Sequence, residues 1–237
     1  MIPWETLARA RTPGGAEELT LCRRGELYVI RIDGRDLMTS RVHGSEEVMA
    51  RIGCVGLDRA PAPRVLVGGL GLGYTLRAAL DRVAAGGTVV VAELVPEVVQ
   101  WNREVLGHLA GFPLDDPRTE VAVGDVAEVM RQAKPFDAIL LDVDNGPRSL
   151  VRPENGQLYS SRGIAEGVAA LRPGGVLVIW SASPDELFVH RMQRDGYDVA
   201  VRVVGDRGGK TGAHHSLFVV RRAASRPPRG KRAPQQA

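Results

Sequence analysis

Residues able to do chemistry cluster at the ends of short apolar runs. Gly68-Gly69-Leu70-Gly71-Leu72-Gly73 directly follows the β-branched segment Arg64–Val67 and opens a helical stretch. Glycines there, with Gly69, Gly71 and Gly73 as candidates, let the backbone turn sharply and approach a ligand where a Cβ would block it. Glu93 closes the next apolar run, 20 residues beyond Gly73, where a carboxylate can accept hydrogen bonds from both hydroxyls of a ribose. Asp125 follows Gly124 at the end of the third run, placed to read an exocyclic amine such as adenine's, and Asp142 and Asp144 end the fourth. Either Glu93 or Asp125 alone could simply cap a helix. As a set they line one edge of a sheet, where ligands bind in such folds. Acids at three strand ends would repel a diphosphate and suit ribose, adenine and a cationic sulfonium chain. A nicotinamide dinucleotide is the competing ligand, since helix N–H groups after the glycines can accept a phosphate.

Leu141–Tyr159 is the longest irregular stretch, and a long loop after a central strand is more often functional than idle. Asp142 and Asp144 straddle Val143, so strand alternation aims them to different sides, one at the nucleoside and one at an incoming substrate. An amine nucleophile must lose a proton before its lone pair can attack, and a carboxylate there both holds the ammonium and receives that proton. Asp144, Asn145, Tyr159 and Trp180 are the candidate acceptor contacts, and Asp144 and Asp142 the catalytic candidates. His214-His215 beside the glycine-rich Gly205–Gly212 reads as a solvated hairpin loop, with a closing flap as the alternative. No His/Cys/Asp/Glu spacing suggests a metal site.

The elements that must position these groups alternate in type. Strands are expected at Arg64–Val67, Thr88–Ala92, Thr119–Val123, Phe136–Leu141, Val176–Trp180, Tyr197–Val204 and Ser216–Val220. Helices are expected at Tyr74–Val83, Pro96–Leu109, Val126–Ala133, Ser160–Leu171 and Pro184–Arg194. This alternation predicts an α/β fold, a Rossmann-like seven-stranded doubly wound sheet. The last strand returns without a helix and must be antiparallel, as in class I S-adenosylmethionine-dependent methyltransferases. Residues 1–62 read as a small appendage, a β-hairpin (Glu17–Cys22 and Glu26–Ile32) packed on the edge of the main sheet. A helix with Ser45 as N-cap follows it over Ser45–Ile52. Residues 63–222 form the nucleoside-binding domain and 223–237 a disordered basic tail.

The chain has 237 residues, 44% hydrophobic and 25% charged, which is globular composition and room for one α/β domain with a small appendage. The net charge of +3 conceals an asymmetry: residues 221–237 hold six basic and no acidic side chains, which leaves about −3 for residues 1–220. That mildly acidic body makes a nucleic-acid partner unexpected. Cys22 and Cys54 suit buried thiols in a reducing compartment. Without an apolar leader or an 18-residue apolar run, no membrane segment is expected and the protein reads as cytoplasmic.

Over residues 17–222 the chain resembles the spermidine synthase (polyamine aminopropyltransferase) family. The resemblance rests on ELTLCRRGELYVIRIDGRDLMTSRVHGSEEVM, VLVGGLGLG, Glu93 in VAELVPEVV, Gly124-Asp125, FDAILLDVD, Leu158-Tyr159-Ser160 and the stretch Ala170–Val178. It implies that Glu93, Asp125 and Asp142 bind the nucleoside and that Asp144 takes the amine proton. It further implies decarboxylated S-adenosylmethionine or S-adenosylmethionine as donor, a small-molecule amine as acceptor, and a homodimer. The acceptor half departs from the family. Its Asp-Ser-Ser-Asp-Pro run is here Asp142-Val143-Asp144-Asn145-Gly146-Pro147. Its acidic pair and Tyr-His-Glu fall on Val42-His43 and Ser45-Glu46-Glu47, where only Glu47 matches, and Gly163-Ile164 replaces an aromatic pair. Aminopropyl transfer is the leading expectation. S-adenosylmethionine-dependent methylation of a small molecule and non-catalytic nucleoside binding are the alternatives.

Overall fold

Apolar alternation in the first 40 residues produces four strands before any helix forms. The computed structural model describes residues 2–14, 17–143, 147, 156–207 and 212–224. Strands β1 (Glu5–Arg11), β2 (Glu18–Arg24), β3 (Leu27–Ile32) and β4 (Arg35–Thr39) make an antiparallel meander in that order. The expected hairpin is thus the middle of a larger unit. β1 and β4 escape a sequence reading because ETLARAR and RDLMT carry charged residues and, with one exception in β1, bury none of their side chains fully. This sheet is separate from the main one rather than added to its edge strand.

After α1 (Gly44–Gly53) the chain alternates between strand and helix. In order come β5 (Arg64–Gly68), α2 (Tyr74–Leu80), β6 (Thr88–Glu93), α3 (Pro96–Trp101), β7 (Thr119–Val123), α4 (Val126–Gln132) and β8 (Phe136–Leu141). Then follow α5 (Ser161–Ala169), β9 (Leu171–Ser181), α6 (Glu186–Arg194), β10 (Val199–Gly205) and β11 (His214–Arg221). The seven-stranded sheet has the order β10-β11-β9-β8-β5-β6-β7. β5 through β9 pair in parallel, and β11 runs antiparallel to both β9 and β10. β5 is flanked by β6 on one side and β8 on the other, so strand order reverses between β5 and β8. The ends of these two strands open a crevice there.

Successive strand residues serve opposite faces of the sheet. Val65, Val67, Val89, Val91, Leu140 and Val178 pack with α1, α2 and α3, in a core that also takes Leu21 and Ile30 of the small sheet. Leu66, Val90, Ile139, Leu141, Leu177 and Phe218 pack with α4, α5 and α6. This explains the nearly unbroken apolar runs, because both faces are covered.

Three local expectations are corrected. α1 starts at Gly44 with His43 at the N-cap, and the Ser45 hydroxyl donates to Glu46 rather than capping the helix. α3 ends at Trp101; the chain continues through a π turn (Asn102–Leu106) and a 3-10 turn (Gly107–Ala110) that Gly111 closes at φ +65°. His214 and His215 are strand residues opposite Gly205 and Val204, so the hairpin loop is shorter than expected. Residues 225–237 of the expected basic tail lie outside the described residues. Among the described residues no helix is long and apolar enough to cross a membrane.

Candidate functional site

The turn after β5 is held by the acid at the end of β6. Glu93 is buried; its Oε2 accepts the Leu70 N–H and its Oε1 the Val95 N–H, both at 2.9 Å. Burial pushes its carboxyl above the usual range, while backbone N–H groups of Val95, Leu70, Gly71 and Leu94 pull it down. Glu93 therefore braces the glycine turn and also faces the cavity the turn borders. Gly69 and Gly71 adopt positive φ (+87° and +52°); a Cβ on Gly69 would meet the Asp142 carbonyl oxygen and one on Gly71 the Met38 thioether. Gly73 has a different task. It opens α2 and packs against Asn102, Pro113 and Ala110, away from the ligand cavities.

Together they border a cavity of about 130 Å³. Its floor is Gly69, Gly71, Ala92, Glu93, Asp125 and Asp142, and its roof is Leu19, Ile30, Ile32, Leu37 and Met38 of the small sheet. Asp125 is exposed and N-caps α4, accepting the Ala127 N–H at 2.7 Å, and still lines the rim. The helix-cap role and the ligand-facing position coexist in one residue. An apolar slot with acids only at its margin fits a nucleoside: the faces of the base meet aliphatic carbon, and its polar edges meet carboxylates.

Asp142, just past β8, joins this cavity to its neighbours. The Thr75 hydroxyl donates to its Oδ2 at 2.7 Å. A small recess between the glycine turn, Tyr74 and Glu46 shares Asp142, and so does a cavity of about 190 Å³ lined by Glu46, Trp180, Asp206 and His215. The Asp142 carboxyl is pushed up to about 7, first by burial and then by the charge of Glu46, against the Thr75 hydrogen bond. Glu46 is itself raised by burial, with repulsion from Glu47 and Asp206 adding to it. Among the described residues the third cavity has no Lys or Arg in its lining. Its field favours cations.

The predicted residues divide clearly. Gly69, Gly71, Glu93, Asp125 and Asp142 converge on one cleft, and Trp180 lines its acidic end. Tyr159 does not line these cavities. It sits in the α4–α6 core, and its carbonyl accepts from Arg191 at 2.6 Å. Asp144 and Asn145 lie outside the described residues. Of the acidic pair on α1, Glu47 turns away to His43 Nδ1 at 2.8 Å, and Glu46 lines the cleft instead. Helical geometry sets successive residues about 100° apart, so the two side chains leave α1 in different directions. Only the position of α1 decides which of them lines the cleft. Asp206 was missed, and His215 was weighed only as part of a hairpin loop or closing flap, because nothing in the sequence brings the facing ends of β10 and β11 to the cavity that Asp142 lines.

Comparison with known proteins agrees with this architecture. The spermine/spermidine synthase domain matches residues 44–202. The polyamine aminopropyltransferase of Mycobacterium tuberculosis is 30% identical over 174 residues, 71% of this chain and 31% of the relative. Polyamine aminopropyltransferase 1 of Hyperthermus butylicus is 34% identical over 125 residues, 50% of this chain and 41% of the relative. The chain thus spans less than half the length of these curated relatives. Spermidine synthase from Thermotoga maritima superposes with a TM-score of 0.71 at 18% identity, over 93% of this chain and 74% of that one. A spermidine synthase in complex with the transition-state analogue AdoDATO gives 0.70 at 18% identity, over 93% and 73%. With the domain match spanning well over half its residues, the chain belongs to the spermine/spermidine synthase family.

Proposed function

We propose that this protein transfers an aminopropyl group from decarboxylated S-adenosylmethionine to a small amine. The observation that carries the reading is the shared position of Asp142, where an apolar, acid-rimmed nucleoside slot meets a cavity that has carboxylates and, among the described residues, no Lys or Arg. The slot fits the donor's adenosine, with Glu93 taking the ribose hydroxyls, Asp125 the adenine amine and the roof residues the faces of the base. When bound, the donor supplies a propyl carbon made electrophilic by the adjacent sulfonium. Asp142 and Glu46 attract the cationic chain and the incoming ammonium. Asp144, two residues further along the chain, accepts the amine proton, so that the lone pair can attack that carbon; the new C–N bond forms as the C–S bond breaks and methylthioadenosine leaves with the sulfonium's electron pair. The remaining contribution is alignment of the two reactants in one cleft.

A second reading, methyl transfer from S-adenosylmethionine, finds less support. That donor carries a carboxylate, and among the described residues the neighbouring cavity offers it Glu46, Asp142 and Asp206 without a Lys or Arg partner. The functional division follows the sequence reading, with residues 63–222 carrying the catalytic sheet and residues 1–62 covering it. Buried, free Cys22 and Cys54 support a cytoplasmic setting, and the homodimer rests on family resemblance.

Calorimetric titration with methylthioadenosine and S-adenosylhomocysteine, paired with an assay of decarboxylated donor plus diamines, tests the proposal. Tighter methylthioadenosine binding together with aminopropylated product supports it. Preference for S-adenosylhomocysteine and transfer of a methyl group would replace it with the second reading.

A further inference from the structure

Asn102 lines neither the nucleoside slot nor the acidic cavity, yet it grips the turn that borders the slot. It is buried, and its Nδ2 donates to the Val98 carbonyl at 2.9 Å and to the Gly71 carbonyl at 2.8 Å. The first bond reaches four residues back into α3; the second spans 31 residues to the glycine turn. Two carbonyls on one side admit only the amide NH2 there. Oδ1 is therefore turned toward Gly73, buried and without a hydrogen-bond partner among the described residues. A buried acceptor left unpaired is costly, and a leucine of similar size would avoid that cost. Asparagine at this position is explained by its two donors rather than by its packing.

Local sequence puts this side chain in place. Asn102 opens the π turn after Trp101, a kind of turn frequent at functional positions. A Cβ on Gly107 would come within 2.7 Å of the Asn102 carbonyl oxygen, so the turn needs glycine at its close. The glycine turn is then held from two sides. Glu93 accepts the N–H groups of Leu70 and Gly71, while Asn102 donates to the Gly71 carbonyl. Gly71 lies against the Met38 thioether of the roof, so a shift of Gly71 would alter floor and roof together. Without Asn102 the Gly71 carbonyl loses its donor, in a residue whose backbone has many accessible conformations. We infer that Asn102 is a positioning residue, which fixes the floor of the nucleoside slot by holding the Gly71 peptide. This rests on the aminopropyl-transfer reading for the identity of the ligand and on the hydrogen bonds alone for the clamp.

The test uses the full-length chain and two variants. Asn102→Ser leaves a hydroxyl that can return to the Val98 carbonyl, four residues back, but is too short to reach Gly71. Asn102→Leu removes both donors at similar volume, and Asn102→Ser decides alone if that variant does not fold. Amide hydrogen exchange over residues 69–74 reports the clamp, and calorimetric titration with methylthioadenosine reports its effect on the slot. In both variants exchange at Leu70 and Gly73 should speed up at least about tenfold relative to β5 and β8. Affinity should fall at least about tenfold, the scale of one hydrogen bond. In turnover the cost should fall on KM for the donor rather than on kcat, a split that a loss of stability alone would not produce. Native exchange at the glycine turn in Asn102→Ser, or faster exchange with unchanged methylthioadenosine affinity, overturns the inference. Wild-type aminopropyl transfer would then leave the proposed function standing. Faster exchange in the variants of a native protein that binds no methylthioadenosine would keep the clamp and discard the function.

Discussion

The Thr75 hydroxyl donates to Asp142 Oδ2 at 2.7 Å, from the first turn of α2 to the residue just past β8. That bond fixes the carboxylate at the reversal of strand order, where the nucleoside slot and the acidic cavity meet. It also opposes the two influences that raise the carboxyl to about 7, burial and the charge of Glu46. Asp142 is thus balanced between its charged and neutral forms near neutral pH.

Removing the bond should tip that balance. In Thr75→Val the charged form loses its hydroxyl donor, so the Asp142 pKa rises and the acid limb of the rate–pH profile moves to higher pH. Activity near pH 7 falls in consequence. A profile that stays in place or moves to lower pH would exclude the assignment.

Glu46→Gln should act in the opposite direction. With the neighbouring charge gone, Asp142 ionises more easily and the acid limb shifts to lower pH, while diamine affinity drops. The paired profiles of the two variants are the check, since a shared structural disturbance would move both the same way.

The same carboxyl links pH to stability. Its folded pKa of about 7 exceeds the ordinary value of 3.8, so the native state binds this proton more tightly than the unfolded chain does. Stability from this group is full below about 4 and is lost as pH rises toward 7. Asp142→Asn removes the loss, so its melting temperature relative to wild type should be higher at pH 8 than at pH 4. An unchanged difference across that window would contradict it.

Glu93→Ala strips two backbone N–H groups of their acceptor. The expected cost is about 2–5 kcal/mol of stability for the pair of amides, with methylthioadenosine affinity reduced at least about tenfold. Chemical denaturation and calorimetry measure the two separately, and full affinity in a destabilised variant would reduce Glu93 to a brace.

Much of this was legible in the sequence, and the reason is period. The apolar runs Arg64–Val67, Thr88–Ala92 and Phe136–Leu141 have both faces covered by helices, so they declare themselves as buried strands and fix where Glu93 and Asp142 must emerge. β1 and β4 lack that signal because their exposed residues carry charge. Tyr159 misled for a related reason: adjacency to a functional loop says nothing about side-chain direction, and this residue is buried in the core that α4, α5 and α6 share. Glu46 could not be told from Glu47 without the orientation of α1. Asp206 and His215 reach the cleft only through the pairing of β9, β11 and β10, a contact between segments distant in sequence.

Gly71→Ala should close the nucleoside slot. The added carbon would come within 2.7 Å of the Met38 sulfur at φ +52°, a backbone conformation that costs a side chain about 1 kcal/mol. Loss of methylthioadenosine binding with a modest drop in melting temperature is expected. Unaltered binding would show that Met38 yields freely.

Asp144→Asn tests the proton acceptor. Turnover should fall by about 10²–10⁴, the usual contribution of a positioned base, with methylthioadenosine affinity preserved. Equal losses in turnover and affinity would return Asp144 to a binding role.

The conserved-domain span opens at residue 44, just past β4, while Leu19, Ile30, Ile32, Leu37 and Met38 all precede it. A fragment cut at that boundary would keep every acid discussed above on an open shelf, its adenine-facing side bare to water. On the proposed reading, ligand capture is a joint property of two stretches of chain, and diversification of the first forty residues would alter donor preference while leaving the parallel strands untouched.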